Sequence, residues 1–156
     1  EGSKRPDVNW ISTALKQQKR MDWNASTRKC FYGENLLTQY PERPVCIVES
    51  EKSAIVMQHL YPDYLWIATG GCSMLRNLDL QPLADRHVTI FPDAGMLGKW
   101  QEFFRAQNVV TNYRFYTCLE ATNPETELPI YEPNTDIVDI ILSASQRIPA
   151  QAATTP

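Results

Sequence analysis

The sequence lacks several features that would assign the chain to a broad class at once. Its four cysteines form no CxxC pair, so no zinc site is indicated. It has no apolar run of the length that crosses a membrane, and its formal net charge is −3. Proteins that hold nucleic acid by charge alone are usually basic. Any such contact here must therefore come from a local patch, a bound metal or a neighbouring domain.

Two further absences concern the setting of the chain. No secretory signal is visible and the cysteines are widely spaced, so we expect a reducing, cytoplasmic location. The sequence begins with glutamate rather than methionine, and we expect it to be a piece of a longer protein.

The length and composition predict one globular domain with flanking segments. A chain of 156 residues with 43% hydrophobic residues is long enough to bury a core. We predict a helical lead-in over residues 1–44, an α/β domain over residues 45–148 and a flexible tail over residues 149–156, which is rich in proline, alanine and threonine. Within the lead-in, apolar residues at helical spacing predict helices near residues 10–15 and 31–40.

Apolar runs alternate with helical patterns along the rest of the chain. The predicted strands cover residues 45–48, 65–68, 88–91 and 113–118. The predicted helices cover residues 53–60, 98–107 and 135–145. Continuous apolar runs are typical of parallel strands buried on both faces. The sequence therefore predicts a Rossmann-like α/β fold with a mainly parallel sheet and helices on both faces.

Three of the predicted strands end at residues that can carry chemistry. Glu49 follows the first strand, Gly70 and Gly71 follow the second, and Asp93 follows the third. Parallel strands end at one edge of a sheet, where ligands bind, so we expect these residues to lie together. Two carboxylates can hold Mg²⁺ together with water and phosphate oxygens, and a glycine pair allows close backbone approach. Taken singly, each is more often a turn or helix-end residue.

The order of these features resembles the Toprim family of primases and topoisomerases. Residues 45–54 (VCIVESEKSA), 67–71 (IATGG) and 88–98 (VTIFPDAGMLG) are similar to its three successive motifs. Residues 136–139 (DIVD) resemble an Asp-x-x-Asp helix of primase-type members, and the resemblance spans residues 45–142. Residues 31–37 (FYGENLL) resemble the lead-in of Toprim-like proteins of bacterial mobile elements.

The resemblance implies Mg²⁺-dependent nucleotidyl transfer or phosphodiester cleavage on nucleic acid, a DNA or RNA primer-template. It implies that Glu49 is the general acid or base and a metal ligand, and that Asp93 is a metal ligand. Because the motifs leave only these two carboxylates and Mg²⁺ prefers water and phosphate oxygens for the rest of its shell, we expect Mg²⁺ to bind the isolated domain weakly. It also implies partner domains of a larger primase- or helicase-type replication protein. The lack of a long apolar run leads us to expect no membrane partner. Residues that could assist at the site are Glu51, Lys52, Gly70, Gly71, Asp136 and Asp139.

The sequence departs from the family pattern at two positions. The second aspartate of the Asp-x-Asp motif is Gly95, and the glycine after the first glutamate is Ser50. A missing carboxylate removes charge that would offset a metal ion. Two alternatives therefore stand beside the enzyme: a catalytically degenerate Toprim-fold module that binds nucleic acid or protein, and an unrelated small-molecule α/β enzyme.

Two weaker signals, a glycine-containing segment and a set of aromatic residues, also have structural explanations. Residues 95–99 (GMLGK) are similar to a phosphate loop, but the spacing is wrong and Trp100 stands where a serine or threonine is needed. Five aromatic side chains could stack on bases, although core packing is the favoured interpretation. They are Trp66, Phe91, Trp100, Phe103 and Phe104.

Overall fold

The structure is a computed structural model, and it describes residues 29–146. The strands are β1 (Val45–Val48), β2 (Leu65–Ala68), β3 (Val88–Ile90) and β4 (Tyr113–Phe115). The α-helices are α1 (Asn35–Gln39), α2 (Glu51–Leu60), α3 (Leu97–Ala106) and α4 (Ile137–Gln146). Three 3₁₀ helices cover Cys72–Asn77, Gln81–Leu83 and Cys118–Glu120. The helix predicted near residues 10–15 and the tail predicted over residues 149–156 lie outside the described residues.

The four strands form one parallel sheet in the order β2-β1-β3-β4. The chain runs from β1 to β2 on one side, then crosses back to β3 and β4 on the other side. The direction of winding therefore reverses between β1 and β3. This is a Rossmann-like α/β arrangement, and the predicted parallel sheet is confirmed.

Both faces of the sheet are covered because the buried strands alternate their side chains between two cores. Val45 and Ile47 of β1 point into a core that includes Phe31 from the lead-in and Trp100 and Phe104 from α3. This larger core also receives Leu37 of α1 and residues of the first two 3₁₀ helices.

The opposite face is packed by the other two helices. Cys46 and Val48 of β1 contact a core formed with α2 and α4, to which Ala54, Met57 and Val138 belong. Helices on both faces of the sheet are thus confirmed. Of the five aromatic residues considered for base stacking, Trp66, Trp100 and Phe104 are buried, while Phe91 and Phe103 are partly buried against the cores.

The lead-in is joined to the edge of the sheet. The backbone N–H of Tyr32 donates to the carbonyl of Ala68 at 2.9 Å, and the N–H of Ala68 donates back to Tyr32 at 3.1 Å. Phe31, the neighbour of Tyr32, is 1% exposed. The described part of the lead-in therefore packs with the α/β core.

Element ends differ from the prediction by a few residues. Strand β4 ends at Phe115 rather than at residue 118, because a 3₁₀ helix begins at Cys118. Helix α2 begins at Glu51, directly after Ser50, whose hydroxyl accepts from the N–H of Ser53 at 3.1 Å and caps the helix. Among the helices within residues 29–146, none has both the length and the apolar character needed to cross a membrane.

Candidate functional site

The two motif carboxylates follow neighbouring parallel strands. Glu49 comes directly after β1, and Asp93 comes three residues after the end of β3, which pairs with β1 in parallel register. In open α/β sheets, ligands bind at the carboxyl edge where the winding reverses. The two strands are parallel neighbours in the sheet, and their ends define the candidate site.

Glu49 is held in place by the segment that follows β2. Its Oε1 accepts a hydrogen bond from the backbone N–H of Cys72 at 2.8 Å. Its Oε2 is buried and receives no hydrogen bond within the described part of the chain. One oxygen of this carboxylate is therefore fixed by the fold, while the other is left for a proton, a cation or water.

Gly70 and Gly71 lie beside Glu49. Their N–H groups donate to the peptide carbonyl of Glu49 at 3.0 and 3.2 Å, so these donors are used within the chain rather than offered to a ligand. Both have positive φ, +76° and +122°, which explains why glycine occupies these positions. Glu51 lies on the same side, because a Cβ at Gly70 would come within 3.2 Å of Glu51 Oε1.

The carboxyl group of Asp93 has an unusually high pKa. Burial first, and then the neighbouring charges of Glu49, Asp136 and Asp139, raise the pKa of its carboxyl from 3.8 to about 7, against the opposing effect of Lys52. No residue of 29–146 donates a hydrogen bond to this carboxylate in the structure. Near neutral pH Asp93 therefore divides between its protonated and ionised forms, and a cation beside it would favour the ionised form.

Asp136 comes to the same place from the start of α4. It is 7% exposed, and its Oδ2 accepts from the hydroxyl of Ser53 at 2.6 Å and lies 3.1 Å from Lys52 Nζ. Burial alone would raise its pKa. The hydrogen bonds from Ser53, from the Asp139 backbone and from Lys52 outweigh burial, so that the pKa of Asp136 is lowered. Asp136 is therefore ionised at neutral pH.

Asp139 completes the arrangement through a reciprocal cap. The N–H of Asp136 donates to Asp139 Oδ2 at 3.1 Å, and the N–H of Asp139 donates to Asp136 Oδ1 at 2.9 Å. Lys52 Nζ lies 3.6 Å from Asp139 Oδ1. The hydrogen bond with Asp136 is the main cause that raises the pKa of Lys52. The ammonium group thus lies between two of the carboxylates that act on Asp93.

Backbone pairing explains how α4 reaches the site. The N–H of Ala94 donates to Thr135 at 2.9 Å, and the N–H of Asn134 donates to Ala94 at 3.0 Å. The loop that carries Asp93 is therefore tied to the turn that precedes Asp136. The Asp-x-x-Asp pattern gave a reason to consider Asp136 and Asp139, but only the fold shows that they reach Asp93.

A carboxylate that sequence reasoning missed binds the backbone of the residue that replaces the absent aspartate. Gly95 has φ +81°, and its N–H donates to Glu120 Oε1 at 3.0 Å, as does the N–H of Leu97 at 3.3 Å. Glu120 belongs to the 3₁₀ helix that follows β4, and it bears no motif that could have marked it. Its charge also satisfies the first turn of α3.

The described residues contain no group of three or more histidine, cysteine or acidic side chains placed to hold one metal ion. Glu49 and Asp93 are two carboxylates. A hard cation held by them would complete its shell with water and with phosphate oxygens of a substrate.

Comparison with known proteins places the chain in a family. Residues 1–94 match a family described as a domain of unknown function, DUF6371. The chain belongs to this family. The matched region contains Glu49, Gly70, Gly71 and Asp93, whereas α3, β4 and α4 with their acidic residues lie beyond it. No curated protein and no solved structure matches the chain.

Proposed function

We propose that this chain binds Mg²⁺ at Glu49 and Asp93 and acts on the phosphates of nucleic acid, as a Toprim-like domain. The observation that carries the proposal is the placement of both carboxylates at the carboxyl ends of adjacent parallel strands, where the winding of the sheet reverses. The resemblance of the three strand-end motifs to Toprim proteins supports the same assignment.

The residues fit a divalent cation. Burial, and then the negative charge of the neighbouring carboxylates, raises the pKa of the Asp93 carboxyl to about 7. Glu49 Oε2 is buried without a donor. A bound Mg²⁺ would offset this charge and supply electrostatic stabilisation to a phosphate group. Two protein carboxylates with water and phosphate make an ordinary Mg²⁺ site, so we expect weak binding to the isolated chain.

Other residues of the chain have separate roles at the site. The Cys72 N–H fixes one oxygen of Glu49, so the other oxygen is available to hold or transfer a proton. Lys52 and Ser53 act as positioning residues that hold Asp136, and with it the start of α4, against α2. Gly70 and Gly71 shape the turn that surrounds Glu49.

The proposal includes a cytoplasmic replication context. All four cysteines are unpaired, which accords with a reducing compartment. The partners would be a DNA or RNA primer-template and further domains of a primase- or helicase-type protein. The resemblance of residues 31–37 to mobile-element proteins supports that context.

A second candidate is a binding module that has lost catalysis. The observations that favour it are Gly95, which contributes no carboxylate, and the lack of a three-ligand group within residues 29–146. This module would still bind nucleic acid or a protein partner but would not turn over a substrate.

The test begins with calorimetric titration of Mg²⁺ into the parent chain, Asp93→Asn and Asp63→Asn. Asp63 is an exposed carboxylate in the turn before β2 and serves as the control. We expect weak binding by the parent and the control, and none by Asp93→Asn. Unchanged binding by Asp93→Asn would show that the site is elsewhere.

Mg²⁺-dependent primer-synthesis and nicking assays then separate the two candidates. Turnover that disappears in Asp93→Asn supports the enzyme. Binding of Mg²⁺ and oligonucleotide without turnover supports the binding module.

A further inference from the structure

A groove of about 510 Å³ lies between two segments that follow strand ends, on the side of the sheet that α3 covers. One wall is the 3₁₀ helix Cys72–Asn77, and the other is the start of α3. The residues that matter for its chemistry are Cys72, Arg76, Met96, Lys99, Trp100 and Phe103. No acidic side chain lines it.

Each wall of this groove is hydrogen-bonded to a residue of the candidate site. Cys72 donates its N–H to the Glu49 carboxylate (Oε1) at 2.8 Å, and Met96 donates its N–H to the backbone carbonyl of Asp93 at 2.9 Å. A molecule bound at Glu49 and Asp93 could therefore extend directly into the groove. This continuity follows from the topology, because the two walls are the segments that follow β2 and β3.

The groove concentrates positive charge in a chain that is acidic overall. Arg76 and Lys99 are both exposed, and within residues 29–146 neither is paired with a carboxylate. The nearest partner of Lys99 is the sulfur of Met96 at 3.9 Å, which does not neutralise it. Two free cations against a formal net charge of −3 mark the groove as an anion-binding surface.

The groove also has apolar walls. Trp100 lines it and is fully buried, so its indole ring is part of the adjoining core. Met96 and Phe103 provide apolar surface against which a base can lie.

The backbone at the start of α3 is not the source of this affinity. The N–H groups of Gly95 and Leu97 are already bonded to the Glu120 carboxylate. The anion must therefore be held by the side chains of Arg76 and Lys99. Lys99 would therefore contact phosphate through its side chain, although residues 95–99 do not form a phosphate loop.

We infer that this groove binds a nucleotidyl phosphate, with Arg76 and Lys99 as the phosphate contacts. The inference rests on the proposed function for its substrate class. It adds the path along which a bound substrate extends from Glu49 and Asp93. The phosphate can belong to a free nucleotide or to a single strand, and both share this chemistry.

The experiment measures fluorescence anisotropy of a labelled single-stranded oligonucleotide with the full chain in EDTA. Arg76→Gln and Lys99→Gln should each weaken binding about tenfold. Each should also reduce the slope of log affinity against log salt by about 0.7, the value for one lost phosphate contact on a single strand. Arg105→Gln is the matched control, because Arg105 is exposed on α3 but does not line the groove. It should bind within about twofold of the parent.

Competition identifies the source of the phosphate. Displacement of the oligonucleotide by ATP at micromolar concentrations indicates a free nucleotide, and resistance to ATP indicates a strand. Parent-like binding by both groove variants, or an equal loss in Arg105→Gln, would overturn the inference.

The same titration with Asp93→Asn separates this inference from the proposed function. Binding in EDTA should persist in Asp93→Asn, because the groove needs no metal. If Mg²⁺ has no effect on any variant while the groove variants lose binding, the groove stands and the Mg²⁺ proposal fails. If EDTA abolishes binding by the parent, the groove inference fails and the Mg²⁺ proposal stands.

Discussion

Replacing Asp93 with asparagine should make the metal-free protein more stable. Burial and the charges of Glu49, Asp136 and Asp139 raise the pKa of Asp93 from 3.8 to about 7. The folded protein therefore holds this proton more tightly than the unfolded chain does. Stability from this group is greatest below pH 3.8 and is lost as the pH rises to about 7, after which the loss is constant.

The size of the effect follows from the same shift. Without solvent screening, the raised pKa corresponds to a loss of about 4 kcal/mol in the free energy of unfolding, at 1.36 kcal/mol per pKa unit. Asp93 is only half-buried, so solvent screening reduces this to about 2 kcal/mol. Asparagine cannot ionise. The free energy of unfolding of Asp93→Asn should exceed that of the parent by about 2 kcal/mol at pH 8 and by less than about 1 kcal/mol at pH 5.

Urea denaturation of both proteins at pH 5 and pH 8 measures this difference directly. The comparison cancels the opposite trend of Asp136, whose lowered pKa adds stability that is lost as the pH falls. Asp63→Asn should match the parent at both pH values. An advantage of Asp93→Asn that is absent, or equal at both pH values, would refute the electrostatic argument.

Three further substitutions or reactions test other parts of the site. Ser53→Ala should cost about 1.5–3 kcal/mol in urea denaturation, because buried Asp136 loses a hydrogen bond at 2.6 Å. Equal stability would show that Ser53 contributes nothing. Gly71→Ala should cost about 1–3 kcal/mol, because φ is +122° there, whereas Gly98→Ala in α3 should be neutral or stabilising in the same assay. Iodoacetamide should label Cys46 only after unfolding, since burial raises the pKa of its thiol to about 12, and mass spectrometry of the native protein would detect early labelling.

The sequence was sufficient to predict the sheet because its strands are short and apolar throughout. Residues 45–48 and 65–68 have no alternation and no polar interruption, which is typical of strands buried on both faces. Placing Glu49 and Asp93 at one edge required only that these strands be parallel.

The remaining features depend on contacts between distant residues. Asp136 is separated from Ser53 by 83 positions, so no local pattern reveals their hydrogen bond. Glu120 contacts Gly95 across 25 positions, and nothing in its surroundings marks it. The 3₁₀ helices between β2 and β3 were not predicted, because their sequence lacks the 3.6-residue periodicity of an α-helix. The groove beside Glu49 depends on one of these helices.

The central position of β1 also sets an order of assembly for the domain. Strands β1 and β2 are joined by a single helix, so their pairing is local and can form early. Pairing of β1 with β3 must close the whole segment of residues 49–87, which carries a larger entropic cost. Until β3 docks, the second edge of β1 is unpaired and available to other chains. Glu49 and Asp93 are brought to one edge of the sheet only when β3 pairs with β1, so the candidate site cannot form from the β1–β2 pair alone.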